Sequence, residues 1–270
     1  MKKTAILFSI ISIIFISCKD ENISEIPQIG YNQSTQDYLY AQNIYNDVIR
    51  TVYESFDENT TSTTCLNYLT NNTDTSDVDT LILNFNNNCV YNNKIRSGKI
   101  IITYKGLLNE TSSIFTINFD NYYINGNSVK GEIEIENQGL TNNNVYYSIK
   151  VTNGIVARSN GGSVNIELNE SREWVNGKNT DNVLDDSYKI TGNSSGNGSN
   201  NTSFTIEIID TLYFDLGCSL SSECLIKSGA VRISPDGYTD RIINYGDSLC
   251  DCNLILTIDN QEFPFIDSPE

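Results

Sequence analysis

The chemistry open to this 270-residue chain is limited by its lack of histidine. Without an imidazole there is no Ser-His-Asp or Cys-His nucleophile, no histidine general base and no histidine-ligated metal site. The 34 acidic residues leave hydrolysis by paired carboxylates and cation binding through oxygen. We therefore predict that the protein is not an enzyme and uses no cofactor, with a carboxylate-only hydrolase as the alternative.

The acidic residues include candidates for both kinds of carboxylate chemistry. A glycosidase needs two carboxyl groups roughly 5–9 Å apart across a cleft, and the candidates for such a pair are Glu170, Glu173 and Asp185. We predict no metal site, although three acids in one polar loop could supply oxygen ligands to calcium. Their spacing lacks the glycine and the distal glutamate of a known calcium loop. These calcium candidates are Asp74, Asp77 and Asp79.

The first cysteine, Cys18, follows a segment with the layout of a secretory signal. Two lysines precede an apolar run, residues 5–16, that is too short to span a bilayer. The run ends in Ile16-Ser17-Cys18, which resembles the lipobox of bacterial lipoproteins. This resemblance implies that residues 1–17 are removed and that Cys18 carries a diacylglycerol thioether, whose acyl chains anchor the protein in lipid. An ordinary secretory signal is the alternative.

The residues after Cys18 predict where the protein is anchored. Residues 18–33 are expected to form a flexible tether, and Lys19-Asp20-Glu21 resembles the acidic export tag of Bacteroidota surface lipoproteins. The expected partner is outer-membrane lipid, through acylated Cys18, at the cell surface or else on the periplasmic face. Removing residues 1–17, with two lysines and no acids, changes the net charge from -17 to -19. This acidity excludes nucleic acid as an expected partner.

The other six cysteines favour disulfides, because an even number in an exported chain is typical of a disulfide framework. Their positions divide them into an N-terminal pair and a C-terminal group of four. The expected pairs are Cys65–Cys89, Cys224–Cys250 and Cys218–Cys252. For the C-terminal four, the swapped pairing and a thiolate zinc site remain alternatives.

Aromatic residues supply the candidates for ligand binding. The chain has 16 Tyr, 10 Phe and one Trp, and exposed rings could stack on sugars. Adjacent tyrosines in a strand point to opposite faces, so one ring of Tyr122-Tyr123 and one ring of Tyr146-Tyr147 should face outward. The binding candidates are Trp174, Tyr122 and Tyr146. The alternative is that these rings cover neighbouring strands.

The element pattern predicts a mainly β fold with one N-terminal helix. Residues 34–56 carry an apolar stripe at helical spacing, with Ser34 as the N-cap and Asp37 in the capping-box position. Residues 57–270 show period-two alternation between turn signals, with roughly a dozen strands. We expect a large antiparallel curled sheet or a β-sandwich with the amphipathic helix packed on it. Two lobes, with a break near 193–203, are an alternative.

Two segments repeat a common pattern, I-[RK]-S-G-x-[IV]-x-I, at residues 95–102 and 226–233. A second pair of matching segments, residues 82–85 and 242–245, lies shortly before a cysteine in each half. The order of the matched segments is exchanged between the halves. The repeat predicts two similar strand pairs, each held near its end by a disulfide.

Several runs resemble a family of exported Bacteroidota lipoproteins, from about Cys65 to the C-terminus. They begin at Arg96 (RSGKIIITY), Phe119 (FDNYYING), Arg172 (REWVNG), Asp185 (DDSYKITG), Ile226 (I-x-S-G) and Asn244 (NYGDSLCD). The chain departs from that pattern by the additional Cys218 and Cys252 and by Asn87 in place of a glycine. The family has no assigned activity, so the resemblance supports the anchor and the fold and carries over no catalytic residues.

These observations predict an envelope lipoprotein with a non-enzymatic binding or structural role. A glycan or a surface protein is the expected partner. The alternatives are the glycosidase-like hydrolase and a lipid carrier, in which a concave sheet would hold an acyl chain.

Overall fold

A computed structural model describes residues 32–56, 63–70, 77–222 and 224–267. Cys18, the signal segment, the tether up to residue 31 and the calcium candidate Asp74 lie outside these residues. The described part of the chain has no helix with the length and apolarity required to cross a bilayer.

The described residues form one long helix and thirteen strands. The helix α1 spans Gln33–Ser55. The strands are β1 Leu66–Thr70, β2 Asp79–Tyr91, β3 Lys94–Lys105, β4 Ile114–Ile124, β5 Asn127–Thr141, β6 Asn144–Ala157, β7 Ser163–Asn176, β8 Ser187–Asn197, β9 Ser203–Asp215, β10 Ile226–Pro235, β11 Arg241–Asp247, β12 Asn253–Ile258 and β13 Gln261–Ile266. Two short 3₁₀ turns, Val183–Asp185 and Leu216–Leu220, follow β7 and β9.

The thirteen strands form one antiparallel sheet in which every strand pairs with its neighbours in sequence. Short connections explain this order, because a tight turn returns the chain beside the strand that it has just left. The predicted mainly β antiparallel fold with an N-terminal helix is confirmed, as a curled sheet and not as a sandwich. Residues 193–203 form the end of the β8–β9 hairpin within this sheet, so no break between lobes lies there.

The repeated I-[RK]-S-G pattern corresponds to matching irregularities in β3 and β10. The register of β3 with β4 shifts around Gly98, and the register of β10 with β9 shifts around Gly229. Both glycines have positive φ, 83° and 102°, and a Cβ at either position would overlap the backbone of the adjacent strand. Such bulges increase the local twist of a strand, so the repeat contributes to the curling of the sheet.

The sheet curls around α1, which contacts strands across its full width. The Tyr45 hydroxyl donates to the carbonyl of Lys130 in β5 at 2.7 Å, and the Tyr245 hydroxyl in β11 donates to Gln42 at 2.7 Å. Seventeen of the 23 helix residues are buried, and these include polar residues on every side. The residues of the predicted apolar stripe from Ala41 to Val52 are buried in the core, as expected, and burial extends well beyond that stripe. Four half-buried residues at helical spacing mark the less covered side of the helix: Gln33, Gln36, Tyr40 and Asn43.

The start of α1 differs from the predicted capping box. The helix begins after Asn32, which makes no side-chain capping bond, and Ser34 lies buried inside the first turn. The Asp37 carboxylate bonds elsewhere: Arg158 lies 2.7 Å from one oxygen, and the backbone N–H of Ser199 donates to the other at 2.7 Å. Tertiary contacts therefore take the carboxylate that the sequence pattern assigned to a local cap.

Buried arginines join the helix to the sheet. The side chain of Arg96 in β3 is fully buried, lies 2.8 Å from the Asp47 carboxylate of α1 and donates to the Tyr122 hydroxyl at 2.6 Å. Arg172 in β7 is also fully buried and pairs with Glu170 at 2.8 Å. It donates to Asn46 of α1 as well, at 2.8 Å. These charge-assisted contacts fix the position of α1 within the sheet.

All six described cysteines form disulfides. The predicted Cys65–Cys89 bond is confirmed. The predicted C-terminal pairs are wrong, because the structure contains the swapped arrangement, Cys218–Cys250 and Cys224–Cys252. Cys224 and Cys252 both lie against the backbone of Asp267, whose N–H donates to the Cys252 carbonyl at 2.9 Å. The end of β13 therefore brings this pair together, and no thiolate is left for the alternative zinc site.

Candidate functional site

An aromatic cleft of about 290 Å³ lies beside the C-terminal end of α1. Five rings line it, two from the helix end and three from neighbouring strands. They are Tyr53, Phe56, Tyr147, Trp174 and Tyr188. The loop after β3 and the loop after β7 complete the lining with residues 107–109, Thr180, Asp181, Val183 and Asp186. The volume is near the lower end of the range for small-molecule sites, so the cleft has room for about one sugar-sized group.

Sheet register places the three strand rings side by side. Tyr147, Trp174 and Tyr188 lie on β6, β7 and β8, and Trp174 is the direct cross-strand partner of Tyr188. The Trp174 and Tyr188 rings are stacked with centroids 6.1 Å apart and an interplanar angle of 18°. Tyr147 lies 6.4 Å from Trp174 and 6.3 Å from Tyr188. The side-chain direction of a strand therefore produces one aromatic cluster, in which Tyr147 and Tyr188 are each 3 % exposed and Trp174 is half-buried.

A buried carboxylate orients these rings. Asp186 is 5 % exposed, and its two oxygens accept hydrogen bonds from the Trp174 indole N–H at 3.0 Å and from the Tyr188 hydroxyl at 3.3 Å. On the other side, the Tyr147 hydroxyl donates to the Leu108 carbonyl at 3.2 Å. The rings are thus held by hydrogen bonds as well as by packing, and the surface is preorganised.

The hydroxyl of Tyr53 is a buried donor without a partner in the described chain. Tyr53 is 4 % exposed and its ring lies 5.9 Å from Tyr188. Burial raises the pKa of Tyr53 to about 12, and the charge of Arg172 opposes that shift. Burial also raises the pKa values of Tyr147 and Tyr188. All three hydroxyls are therefore neutral donors at physiological pH, and an unsatisfied buried donor favours a ligand acceptor.

The three aromatic candidates from the sequence lie in different environments. Trp174 lines the cleft, as the binding prediction requires, although binding itself stays a prediction. Tyr146 lies half-buried on the opposite face of β6, beside Glu173. Tyr122 is 1 % exposed and points into the core, where Arg96 donates to its hydroxyl. The structure therefore brings only Trp174 into the cleft.

The expectation for Tyr122 was wrong because a bulge reverses the alternation of β4. Phe115 and Ile117 point into the core, and simple period-two counting then places Tyr122 outside. The register between β3 and β4 shifts opposite Gly98, around Asn121. Beyond that shift the even-numbered residues point inward, so Tyr123 is the exposed ring, at 39 %.

The acids proposed for a glycosidase pair are not assembled. Glu170 points into the core, where Arg172 holds it at 2.8 Å, and Glu173 lies on the opposite face of β7, where Asn144 donates to it at 2.6 Å. Asp185 is exposed in the loop after β7 and accepts from the Thr180 hydroxyl at 2.8 Å. The side-chain alternation of β7 separates the two glutamates.

The calcium candidates that are described do not converge either. Asp77 is exposed before β2, whereas Asp79 is 3 % exposed at the start of that strand. Among the described residues, one group of three potential metal ligands is close enough to share an ion, and it consists of Asp215, Cys218 and Cys250. Its two sulfurs are bonded to each other, so this group does not offer a pair of thiolates.

Comparison with known proteins leaves the site to be interpreted from its own geometry. No protein-family model, no curated protein and no solved structure matches the chain.

Proposed function

We propose that the protein is a lipid-anchored binding module of the cell envelope whose aromatic cleft holds one unit of a glycan. The observation that carries this proposal is the stacked Trp174–Tyr188 pair, fixed by the Asp186 carboxylate inside a cleft of about 290 Å³. A sugar ring has apolar C–H faces and a polar edge of hydroxyls. An aromatic surface beside a few fixed polar groups complements both features.

The positions of the acidic side chains in and near the cleft support binding without catalysis. The hydrolase alternative requires two carboxyls facing one another across a cleft. Within the cleft, Asp186 accepts hydrogen bonds from Trp174 and Tyr188 and so holds their rings in place. Asp181 is exposed at the rim. Glu170, which lies inside the sheet, is paired with Arg172. These contacts favour a binder over a hydrolase.

The lipid-carrier alternative has less support, because α1 occupies the concave side of the sheet. Five apolar residues along the helix have no measurable exposure: Ala41, Tyr45, Val48, Ile49 and Val52. An acyl chain would have to displace this packed helix, whereas the aromatic cleft of about 290 Å³ is already open.

The glycan test compares wild-type protein with two cleft variants on a glycan array. Trp174→Ala removes the central ring, and Leu107→Arg places a long charged side chain at the mouth, where Leu107 is 45 % exposed. We expect a loss of at least about tenfold in affinity in each variant, since stacked aromatic contacts and access to the cleft are both lost. Isothermal titration calorimetry with the best glycan measures the loss.

The matched control is Tyr123→Ala, which removes an exposed ring of β4 that does not line the cleft. It should bind like wild type. Because Trp174 is partly buried, circular dichroism must show that Trp174→Ala is folded. Leu107→Arg tests the same cleft with a substitution at an exposed position. An array on which no glycan binds, or cleft variants that bind like wild type, would refute the proposal.

The proposed location in the outer membrane depends on Cys18, which lies outside the described residues. We propose outer-membrane anchoring through the acylated thiol, at the cell surface or on the periplasmic face. Cys18→Ser should move the protein from the membrane fraction to the soluble fraction, because the thioether requires the sulfur. If the wild-type protein is already soluble, the anchor is excluded. Protease treatment of intact cells distinguishes the two faces.

A further inference from the structure

The polar groups that line the aromatic cleft are acidic or neutral. Asp181 and Asp186 supply carboxylates and the loop after β3 supplies the Leu108 carbonyl. Among the described residues, no lysine or arginine lines the cleft. The guanidinium of Arg172, whose charge acts on Tyr53, is already paired with Glu170 at 2.8 Å. The field in the cleft is therefore negative, within a chain of net charge -17.

The faces of the aromatic rings also attract a positively charged group. The faces of Trp and Tyr carry the negative part of their quadrupole, and a cation within about 6 Å of a ring centroid is attracted to it. Trp174, Tyr147 and Tyr188 provide three adjacent rings next to the Asp186 carboxylate. An aromatic surface combined with carboxylates complements an ammonium group and repels an acidic sugar.

Tyr53 provides an independent observation that the cleft is built for a ligand. Its side chain is more than nine-tenths buried, and its hydroxyl has no partner in the described chain. A buried donor left unsatisfied costs free energy, and a ring or hydroxyl oxygen of a bound sugar would satisfy it. The cleft thus combines one donor for a sugar oxygen with an acidic, aromatic surface for a positive charge.

We propose that the sugar unit selected by the cleft carries a free, protonated amine, and so belongs to the class of amino sugars. This inference rests on the proposed function and specifies its ligand. Trp174 and Tyr188 stack on the sugar ring, Tyr53 donates to one of its oxygens, and the ammonium group lies between the rings and the carboxylates.

The test measures the affinity of the full chain for three oligosaccharides of equal length by calorimetry. They are a β-1,4-linked glucosamine tetramer, the same tetramer fully N-acetylated and an oligogalacturonate. At about pH 6, below the pKa of ordinary α-amino groups, the amino tetramer should bind at least about tenfold more tightly than the acetylated one. The acidic oligomer should bind most weakly of the three.

Two further measurements separate charge recognition from general stacking. At about pH 9 the amine loses its proton, whereas Tyr53, Tyr147 and Tyr188 stay neutral because burial raises their pKa values. The preference for the amino tetramer should then disappear. Asp181→Asn, at the exposed rim, should reduce that preference severalfold at pH 6, because it removes one of the two carboxylates of the cleft.

The outcomes distinguish this inference from the function on which it rests. If the acetylated or the acidic oligomer binds as tightly as the amino tetramer at pH 6, the inference fails and glycan binding stands. A preference that persists unchanged at pH 9 also overturns it. If none of the three binds and no glycan on the array binds, both the inference and the proposed function fail.

Discussion

The buried guanidinium of Arg96 should contribute strongly to the free energy of unfolding. It lies 2.8 Å from Asp47, and its loss leaves that buried carboxylate with Arg50 at 3.1 Å as its remaining close cation. Arg96→Ala should lower the free energy of unfolding by about 3–5 kcal/mol, because an incompletely compensated buried charge is costly. Urea denaturation measures the change. The control is Lys99→Ala, whose exposed pair with Asp120 should contribute little to stability because solvent screens it.

Asp267, beyond the end of β13, should make stability depend on pH. Burial raises its pKa above the ordinary value of 3.8, although a hydrogen bond from Asn43 at 2.8 Å opposes the shift. A carboxyl group whose pKa is raised in the folded state destabilises the protein at pH values where it is ionised. This cost is complete above the raised pKa and disappears as the pH falls below 3.8. The gain in unfolding free energy from Asp267→Asn should therefore be larger at pH 7 than near pH 4. An equal difference at both pH values would contradict this account.

Sequence reasoning identified some residues of the site and missed others for definite reasons. Trp174 was found because it is the single tryptophan and lies near a turn. Tyr147 and Tyr188 were not selected, because inward-facing rings in strands usually belong to the core. Tyr53 was not selected either, since no local pattern in a helix reveals which strand packs against that ring. The inward positions of Tyr147, Trp174 and Tyr188 in consecutive strands are the signal that could have found the cleft.

At the scale of elements, the bulge at Gly98 can be tested directly. Gly98 has a φ of 83°, and a Cβ there would overlap the Asn121 backbone. Gly98→Ala should cost about 3 kcal/mol or more, since steric overlap adds to the cost of a positive φ. Gly237→Ala is the matched control, because its φ is 77° and a Cβ would meet nothing within 4 Å. It should cost only about 1–2 kcal/mol; equal losses in the two variants would mean that the close approach at Gly98 is unimportant.

The Cys65–Cys89 disulfide connects the segment before β1 to β2, near one edge of the sheet. The two cysteines are 24 residues apart. Replacing both with serine should lower the unfolding free energy by about 3 kcal/mol, because the crosslink restricts the unfolded chain. A change below about 0.5 kcal/mol in denaturant unfolding would show that the bond does not stabilise this edge.

Element types followed from the sequence, but their spatial relations did not. Alternation in segments such as Val129–Glu136 identified strands, and the helix boundaries were within one residue of the observed Gln33–Ser55. The capping of Ser34, the side occupied by Tyr122 and the C-terminal disulfide pairing all depended on bulges or distant contacts. Period-two and period-3.6 patterns contain no information about those contacts.

At the scale of the whole molecule, one continuous sheet around one helix predicts cooperative unfolding. Side chains on strands from β3 to β11 contact α1, so loss of the helix exposes the core of the entire sheet. Under oxidising conditions, circular dichroism and tryptophan fluorescence should report one coincident transition. Two separate transitions would indicate lobes that unfold independently.

The central claim is that the aromatic cleft is the ligand site, and the single tryptophan offers the most direct measurement. Trp174 is the only tryptophan in the chain and lines the cleft, so its fluorescence reports on that site alone. Titration of the wild-type protein with a glycan that binds should give a saturable change in emission with the dissociation constant found by calorimetry. In Leu107→Arg the change should require at least about tenfold more glycan. Calorimetric binding that leaves the emission of Trp174 unaltered would place the ligand elsewhere and contradict the account.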